Sequence, residues 1–316
     1  AYDVSWGGGS PSYPSDVAIT KFASDGATLD YSTYLGGAGN ECPHSLVVNG
    51  DDELYVLGTT GSNDFPTSAT AYDDTFNGGT NFAANSISYP NGSDIFVTKF
   101  NASGTGLIGS TYLGGSGNDG NNLSTDLKYC YGDEFRGEII VDSLENCYIA
   151  SNTSSTNFPV VNPVQTAYGG GTSDGIAVKF NANLSSLIWS TYLGGSGDDA
   201  GYSVQFELPS NDVYITGGTT SSNFTTTTGV INPTYGGGTD GFLCKISSTG
   251  TTLLASTYIG TSGYDQSYFV QLDLANNVYV VGQTDGTYPI WPTYVYSVPG
   301  GGPFLHKLSN TLQPTA

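Results

Sequence analysis

Apolar residues along this chain come in short runs broken by Gly, Asn, Asp, Ser and Thr, and no window of ten or more residues spaces them as a helix would. Runs such as Asp94-Ile95-Phe96-Val97-Thr98-Lys99-Phe100 and Asn277-Val278-Tyr279-Val280-Val281 are rich in β-branched and aromatic side chains, which predicts strands. One kind of strand ends in lysine and an apolar residue: Asp16–Phe22, Asp94–Phe100, Asp174–Phe180, Asp240–Ile246 and Pro303–Leu308. A second kind carries a motif, seen as Ser110-Thr111-Tyr112-Leu113-Gly114-Gly115-Ser116-Gly117-Asn118-Asp119. It returns at Ser32–Glu41 and Ser190–Asp199, and in a worn form at Ser256–Asp265.

The lysines at 21, 99, 179 and 245 precede the motif tyrosines at 34, 112, 192 and 258 by 13 positions every time. A fixed offset across four copies predicts a rigid pair of strands joined by a tight turn such as Ser24-Asp25-Gly26. A third strand follows at His44–Val48, Glu138–Asp142, Tyr202–Leu208 and Tyr268–Leu274, and a fourth around Tyr55, Tyr148, Tyr214 and Tyr279. Two stretches break the regularity, one at Gly78–Gly92 and one at Gly120–Arg136, as loops of a repeat scaffold allow.

Four strands per repeat predict an all-β fold, a β-propeller of four-stranded antiparallel blades, with a β-solenoid as the competing architecture. Within a blade the expected order, from the axis outwards, is third, fourth, first and second strand. Residues 1–316 then form a single repeat-built domain, with repeats at about 16–93, 94–173, 174–239 and 240–302 and a partial one at 303–316. On that phasing the chain opens and closes in mid-blade. Either the terminal strands share one blade to close a ring, or the array is longer.

The motif, the apolar strand Ile139-Ile140-Val141-Asp142 and the Asn277–Val280 and Asp94–Phe100 runs together resemble the SBBP repeat, a family named for a seven-bladed β-propeller of secreted bacterial proteins. The resemblance spans nearly the whole chain in about four copies; Thr261, Pro303 and the two insertions depart from it. It implies an exported, extracellular or cell-surface propeller serving as spacer or adhesive module, and it brings no catalytic residues.

Composition narrows the function. Twenty-eight acidic against seven basic residues give a net charge of −21, which disfavours nucleic acid and anionic membranes as partners. No apolar stretch reaches membrane length, so no direct membrane insertion is expected. Cys42, Cys130, Cys147 and Cys244 lack metal-binding spacing; two disulfides or buried thiols both fit.

Candidate chemistry is sparse. Glu41, Asp119, Asp199 and Asp265 follow glycine-rich turns at equivalent places and are the candidate Ca²⁺ ligands, although capping of turn amides is the favoured role. Lys21, Lys99, Lys179, Lys245 and Lys307 recur at one position, which suggests a structural partner in a turn carboxylate or a tyrosine face. A ring of lysines gathering an anion is the sharper alternative.

Aromatics in the links (Tyr13, Tyr72, Tyr89, Tyr168, Tyr235, Tyr288, Trp291, Tyr294 and Tyr296) could stack on extracellular glycans or simply pack between blades. His44 and His306 fall in different repeats, no nucleophile elbow or HExxH is present, and acid pairs such as Asp51-Asp52, Asp73-Asp74 and Asp133-Glu134 read as solvated turns. The expected function is therefore non-catalytic. It is a scaffold, adhesion or protein-interaction module that meets other surface proteins or other domains of its own polypeptide. The alternatives are a lectin-like glycan binder and, less favoured, a polysaccharide-degrading enzyme.

Overall fold

A computed structural model describes residues 1–9, 14–129, 132–297 and 302–314. In chain order the strands are β1 (Val17–Phe22), β2 (Leu29–Leu35), β3 (Glu41–Val48), β4 (Leu54–Thr60), the short β5 (Phe82–Ala84) and β6 (Ile87–Tyr89), β7 (Asp94–Phe100) and β8 (Leu107–Leu113). They continue as β9 (Glu138–Val141), β10 (Cys147–Thr153), β11 (Asp174–Phe180), β12 (Leu187–Leu193), β13 (Asp199–Phe206) and β14 (Val213–Thr219). The last are β15 (Asp240–Ile246), β16 (Leu253–Ile259), β17 (Asp265–Leu272), β18 (Val278–Thr284) and β19 (Gly302–Leu308). The protein is all-β, built from antiparallel sheets of two to four strands, and the described residues form no closed barrel or ring.

Three sheets are complete, in the orders β3-β4-β7-β8, β9-β10-β11-β12 and β13-β14-β15-β16. Before them stands the two-stranded β1-β2, and after them the three-stranded β17-β18-β19. Each complete sheet runs third, fourth, first, second strand in repeat terms, the order expected from sequence. A sheet therefore takes its two leading strands from one repeat and its two trailing strands from the next. The third strands begin earlier than expected in three copies, at Glu41, Asp199 and Asp265, because the acid that ends the motif is itself the first residue of the next sheet.

Consecutive sheets stack through four apolar clusters. The cluster holding Val17, Leu35, Val56 and Phe96 joins the first sheet to the second. Tyr55, Leu57 and Val97 meet Ile139, Ile149 and Val178 across the next junction. Tyr148, Ala177 and Trp189 meet Val204, Ile215 and Phe242, and finally Tyr214 and Leu243 meet Val270 and Val280. Burying such side chains is worth about 1.5–3 kcal/mol each, so every junction is a core in its own right.

The recurrent lysine lies at the far end of each sheet from the motif turn. Lys99 is 3% exposed, sits 2.7 Å from Glu53 and 2.7 Å from Glu145, and lies over the Tyr55 ring at 5.1 Å. Glu145 belongs to the following sheet's hairpin, so this lysine ties two sheets. Lys179 pairs with Asp142 over Tyr148, Lys245 with Glu207 and Asp212 over Tyr214, and Lys307 with Asp273 over Tyr279. Both partners expected for the lysine, carboxylate and tyrosine face, are present in these four copies. Lys99→Met keeps the apolar stem but leaves Glu53 and Glu145 facing each other without a cation, so a loss of about 1–3 kcal/mol in urea unfolding is expected.

Candidate functional site

The motif turns meet the following sheet at the junctions, and each turn is a hydrogen-bonded joint. The acid four residues after a motif glycine accepts that glycine's N–H: Gly37 to Glu41 at 3.2 Å, Gly115 to Asp119 at 2.8 Å and Gly195 to Asp199 at 2.7 Å. The acid also accepts hydroxyls from the strand end beside it. Thr60 and Ser62 donate to Glu41, Thr153 and Ser155 to Asp119, and Ser221 to Asp199. The other turn amides are also held: Ala38 N donates to Asp64, Ser116 N to Asn157 and Ser196 N to Asn223, at 2.8, 2.9 and 2.8 Å. Glu41, Asp119, Asp199 and Asp265 are thus brought to equivalent places as turn caps.

The fourth copy shows how tightly the joint is packed. Thr261 stands where the others have glycine, and its N–H and hydroxyl both reach Asp265, at 2.7 and 2.8 Å. Gly286 stands where the others have Ser62, Ser155 or Ser221, and a Cβ added there would collide with the Thr261 hydroxyl. The hydroxyl has moved from one side of the joint to the other.

A second carboxyl enters each joint from the preceding sheet. Asp16, Asp94, Asp174 and Asp240 lie five positions before the lysines and are capped by the glycine-rich links. Gly7 N donates to Asp16 at 2.6 Å, Asn77 N to Asp94 at 2.7 Å, Gly169 N to Asp174 at 2.7 Å and Gly236 N to Asp240 at 2.6 Å. The first motif glycine lies against both acids: a Cβ at Gly114 would stand 2.7 Å from Asp119 Oδ2 and 2.8 Å from Asp94 Oδ1. These second carboxyls escaped the sequence reading, although the constant Asp-to-Lys spacing in four copies was there to find them.

Four carboxyl pairs therefore lie between sheets, buried in three copies and half-buried at Asp16 in the first, and no lysine or arginine pairs with them among the described residues. Burial, reinforced by the neighbouring carboxyl, pushes Asp94 up to about 8 and Asp174 and Asp240 to about 7. Burial likewise raises Glu41, Asp119 and Asp199 to about 7 despite their hydrogen bonds. Two carboxyls in one dry site hold a proton between them more cheaply than two negative charges. Among the described residues no group of three or more His, Cys, Asp or Glu is arranged to hold a metal ion.

The remaining candidates are dispersed. His44 is half-buried beside Thr59, and desolvation of its ring holds it neutral, down to about 3; His306 lies three sheets away against Tyr288. Cys42, Cys147 and Cys244 are free thiols, and Cys130 lies outside the described residues. Asp133 and Glu134 depart from the solvated-turn expectation. They open a 3₁₀ turn, Asp133–Phe135, in which Asp133 holds Arg136 at 2.6 Å and Glu134 holds Lys128 at 2.9 Å.

That turn belongs to the second insertion, which is not a passive loop. Leu127 is buried with Ala200, Tyr202 and Tyr268, Asn122 donates to the Tyr202 hydroxyl at 3.1 Å, and Arg136 lies 4.3 Å over the Tyr268 ring. It staples the leading strands β13 and β17 of two later sheets. A groove of about 510 Å³ between the turns at 49–51 and 142–145 is lined by Val48, Asp51, Val141, Asp142 and Glu145. Two of its three acids are committed to Lys99 and Lys179.

No family model matches the chain, and no curated protein does. Among solved structures, a protein of unknown function from Dyadobacter fermentans is similar at a TM-score of 0.45 and 11% identity, covering 95% of this chain and 70% of that one. A glucose dehydrogenase is similar at a TM-score of 0.31 and 10% identity, covering 90% and 88%. At these scores neither likeness bears on fold or function.

The raised carboxyls set a direction for pH. The folded chain binds more protons than the unfolded one between the ordinary carboxyl range, near 4, and about 8. Stability from these groups is complete below that window and falls as pH rises through it. Melting temperature should decline from pH 5 to pH 9, and Asp174→Asn, which relieves one pair of its charge conflict, should flatten the decline.

Proposed function

We propose that this chain is a repeat-built β-propeller of the secreted SBBP type, acting without catalysis as a scaffold and protein-interaction module of a larger extracellular or cell-surface assembly. The observation that carries the reading is where the recurring polar residues go. The acids and turn amides that close each motif join one sheet to the next, the motif hydroxyls hold the link of their own sheet, and at the opposite end the lysines clasp hairpin carboxylates, Lys99 across two sheets. The sheet order, third-fourth-first-second, is the one a blade requires, which supports the propeller over a solenoid. The excess of acidic groups left on the outside favours a well-solvated, self-repelling surface.

Glycan binding stands as the second reading, on one observation. Tyr89 is buried and Tyr72, Tyr168, Tyr235 and Tyr288 pack against the cores, but Trp291, Tyr294 and Tyr296 are 63%, 84% and 93% exposed on a single link; Tyr13 lies outside the described residues. A glycan array probed with Ca²⁺ supplied should stay silent, and a panel of acidic and neutral polysaccharides should show no turnover. Array binding that Trp291→Ala abolishes would replace the scaffold reading with a lectin-like one.

A further inference from the structure

The residue just after each leading strand opens a hairpin and carries an acyl side chain: Asn49 after β3, Asp142 after β9, Glu207 after β13 and Asp273 after β17. Two of these positions are alike. Asp142 Oδ1 accepts from Leu144 N and Asn146 N, and Asp273 Oδ1 from Ala275 N and Asn277 N, all at 2.9 Å. The other carboxylate oxygen faces the lysine of the sheet: Lys179 Nζ lies 3.6 Å from Asp142 Oδ2 and Lys307 Nζ 3.7 Å from Asp273 Oδ2.

In the first hairpin an amide takes that place. Asn49 Oδ1 accepts from Asp51 N at 3.0 Å and from Glu53 N at 2.9 Å, as the aspartates do. Its Nδ2 donates to Glu53 Oε2 at 2.9 Å and to Glu145 Oε1 at 3.0 Å. Lys99 Nζ reaches the same two carboxylates, 2.7 Å from Glu53 Oε2 and 2.7 Å from Glu145 Oε2. One oxygen of Glu53 therefore touches both an amine nitrogen and an amide nitrogen. An ionised carboxylate is no electrophile, so Asp142 and Asp273 can only pair with their lysines. The Asn49 amide is different: two N–H groups hold its oxygen, carboxylates hold its nitrogen, and an amine stands beside it. Those are the parts of an acyl transfer.

We propose that Lys99 and Asn49 join in an isopeptide bond, made by the folded chain itself with Glu53 and Glu145 as proton carriers. Lys99 passes one proton to Glu53, and the freed Nζ lone pair attacks Asn49 Cγ. The carbonyl electrons move onto Oδ1, where the Asp51 and Glu53 N–H groups hold the charge. Nζ then gives a second proton to Glu145. The carbonyl re-forms, the Cγ–Nδ2 bond breaks, and Nδ2 takes both carried protons and leaves as ammonium. The new bond ties the β3–β4 hairpin to the end of β7 and closes a long covalent loop, which restricts the unfolded chain. Against the pull of burial, hydrogen bonds to Glu145 and Glu53 hold Lys99 above its usual range. The neutral amine is therefore scarce, and the reaction is slow and quickens as pH rises. The inference stands on this clasp and not on the scaffold reading, so either can fail alone.

The test is the intact mass of the whole folded chain, followed over days at pH 6 and at pH 9. A species lighter than the sequence by one ammonia is expected, either present from the start or accumulating faster at pH 9. Peptide mapping should then find residues 49 and 99 in one branched fragment. Lys99→Arg keeps a cation but offers a guanidinium too weak to attack; it should stay at full mass and melt at a lower temperature. Glu53→Gln combined with Glu145→Gln should slow the loss about a hundredfold. Circular dichroism checks that both variants fold, and the wild-type mass decides the matter without them. The proposal is overturned if the wild-type chain keeps its full mass at pH 9. It is equally overturned by ammonia loss that persists in Lys99→Arg, which would mark ring closure by Gly50 N on Asn49. A mass gain from hydrolysis of the Asn49 amide, with residues 49 and 99 in separate fragments, would also overturn it.

Discussion

Everything in this fold leans on a buried carboxyl that belongs to two sheets at once. Asp119 ends the motif of one sheet, begins the path into the next, and gathers a glycine amide and two hydroxyls. Facing it, Asp94 brings a second carboxyl with no cation to balance the pair. Such an arrangement is costly unless the site keeps a proton, and the cost explains the local sequence. Glycine must stand between the acids because a side chain would strike both. Hydroxyl residues must end the adjoining strand because they are the remaining donors.

The two ends of each sheet solve opposite problems. At the motif end, like charges are buried together and the protein favours their neutral form. At the lysine end a cation meets hairpin carboxylates and lies on a tyrosine ring, and there hydrogen bonds from Asn146 and Tyr148 outweigh burial and keep Asp142 below the usual carboxyl range. Between these polar clasps lies an apolar core that repeats at every junction. The insertion at Gly120–Arg136 adds a third fastening, across the leading strands, in one place only.

Much of this was legible beforehand, because the signals are periodic. The 13-residue offset placed the paired strands, and the recurrence of lysine in an acidic chain pointed to a carboxylate and a tyrosine face as its partners. The joints were only half legible. Glu41, Asp119, Asp199 and Asp265 stood out because they close a visible motif, whereas Asp16, Asp94, Asp174 and Asp240 looked like ordinary strand starts. Pairing between them is made by stacking sheets, a contact that no local pattern announces. The insertion was unreadable for the same reason: Leu127 and Arg136 find Tyr202 and Tyr268 more than 60 positions away.

Titration of the side-chain carboxyl carbons by ¹³C NMR in the folded protein tests the shared-proton joint most directly. The account predicts that Asp119 and Asp199 titrate near 7 and Asp94 near 8, with each member of a pair responding to the titration of its neighbour. Midpoints near 4 for these residues, independent of one another, would mean that the pairs are ionised at neutral pH, and the account of how the sheets are joined would be wrong.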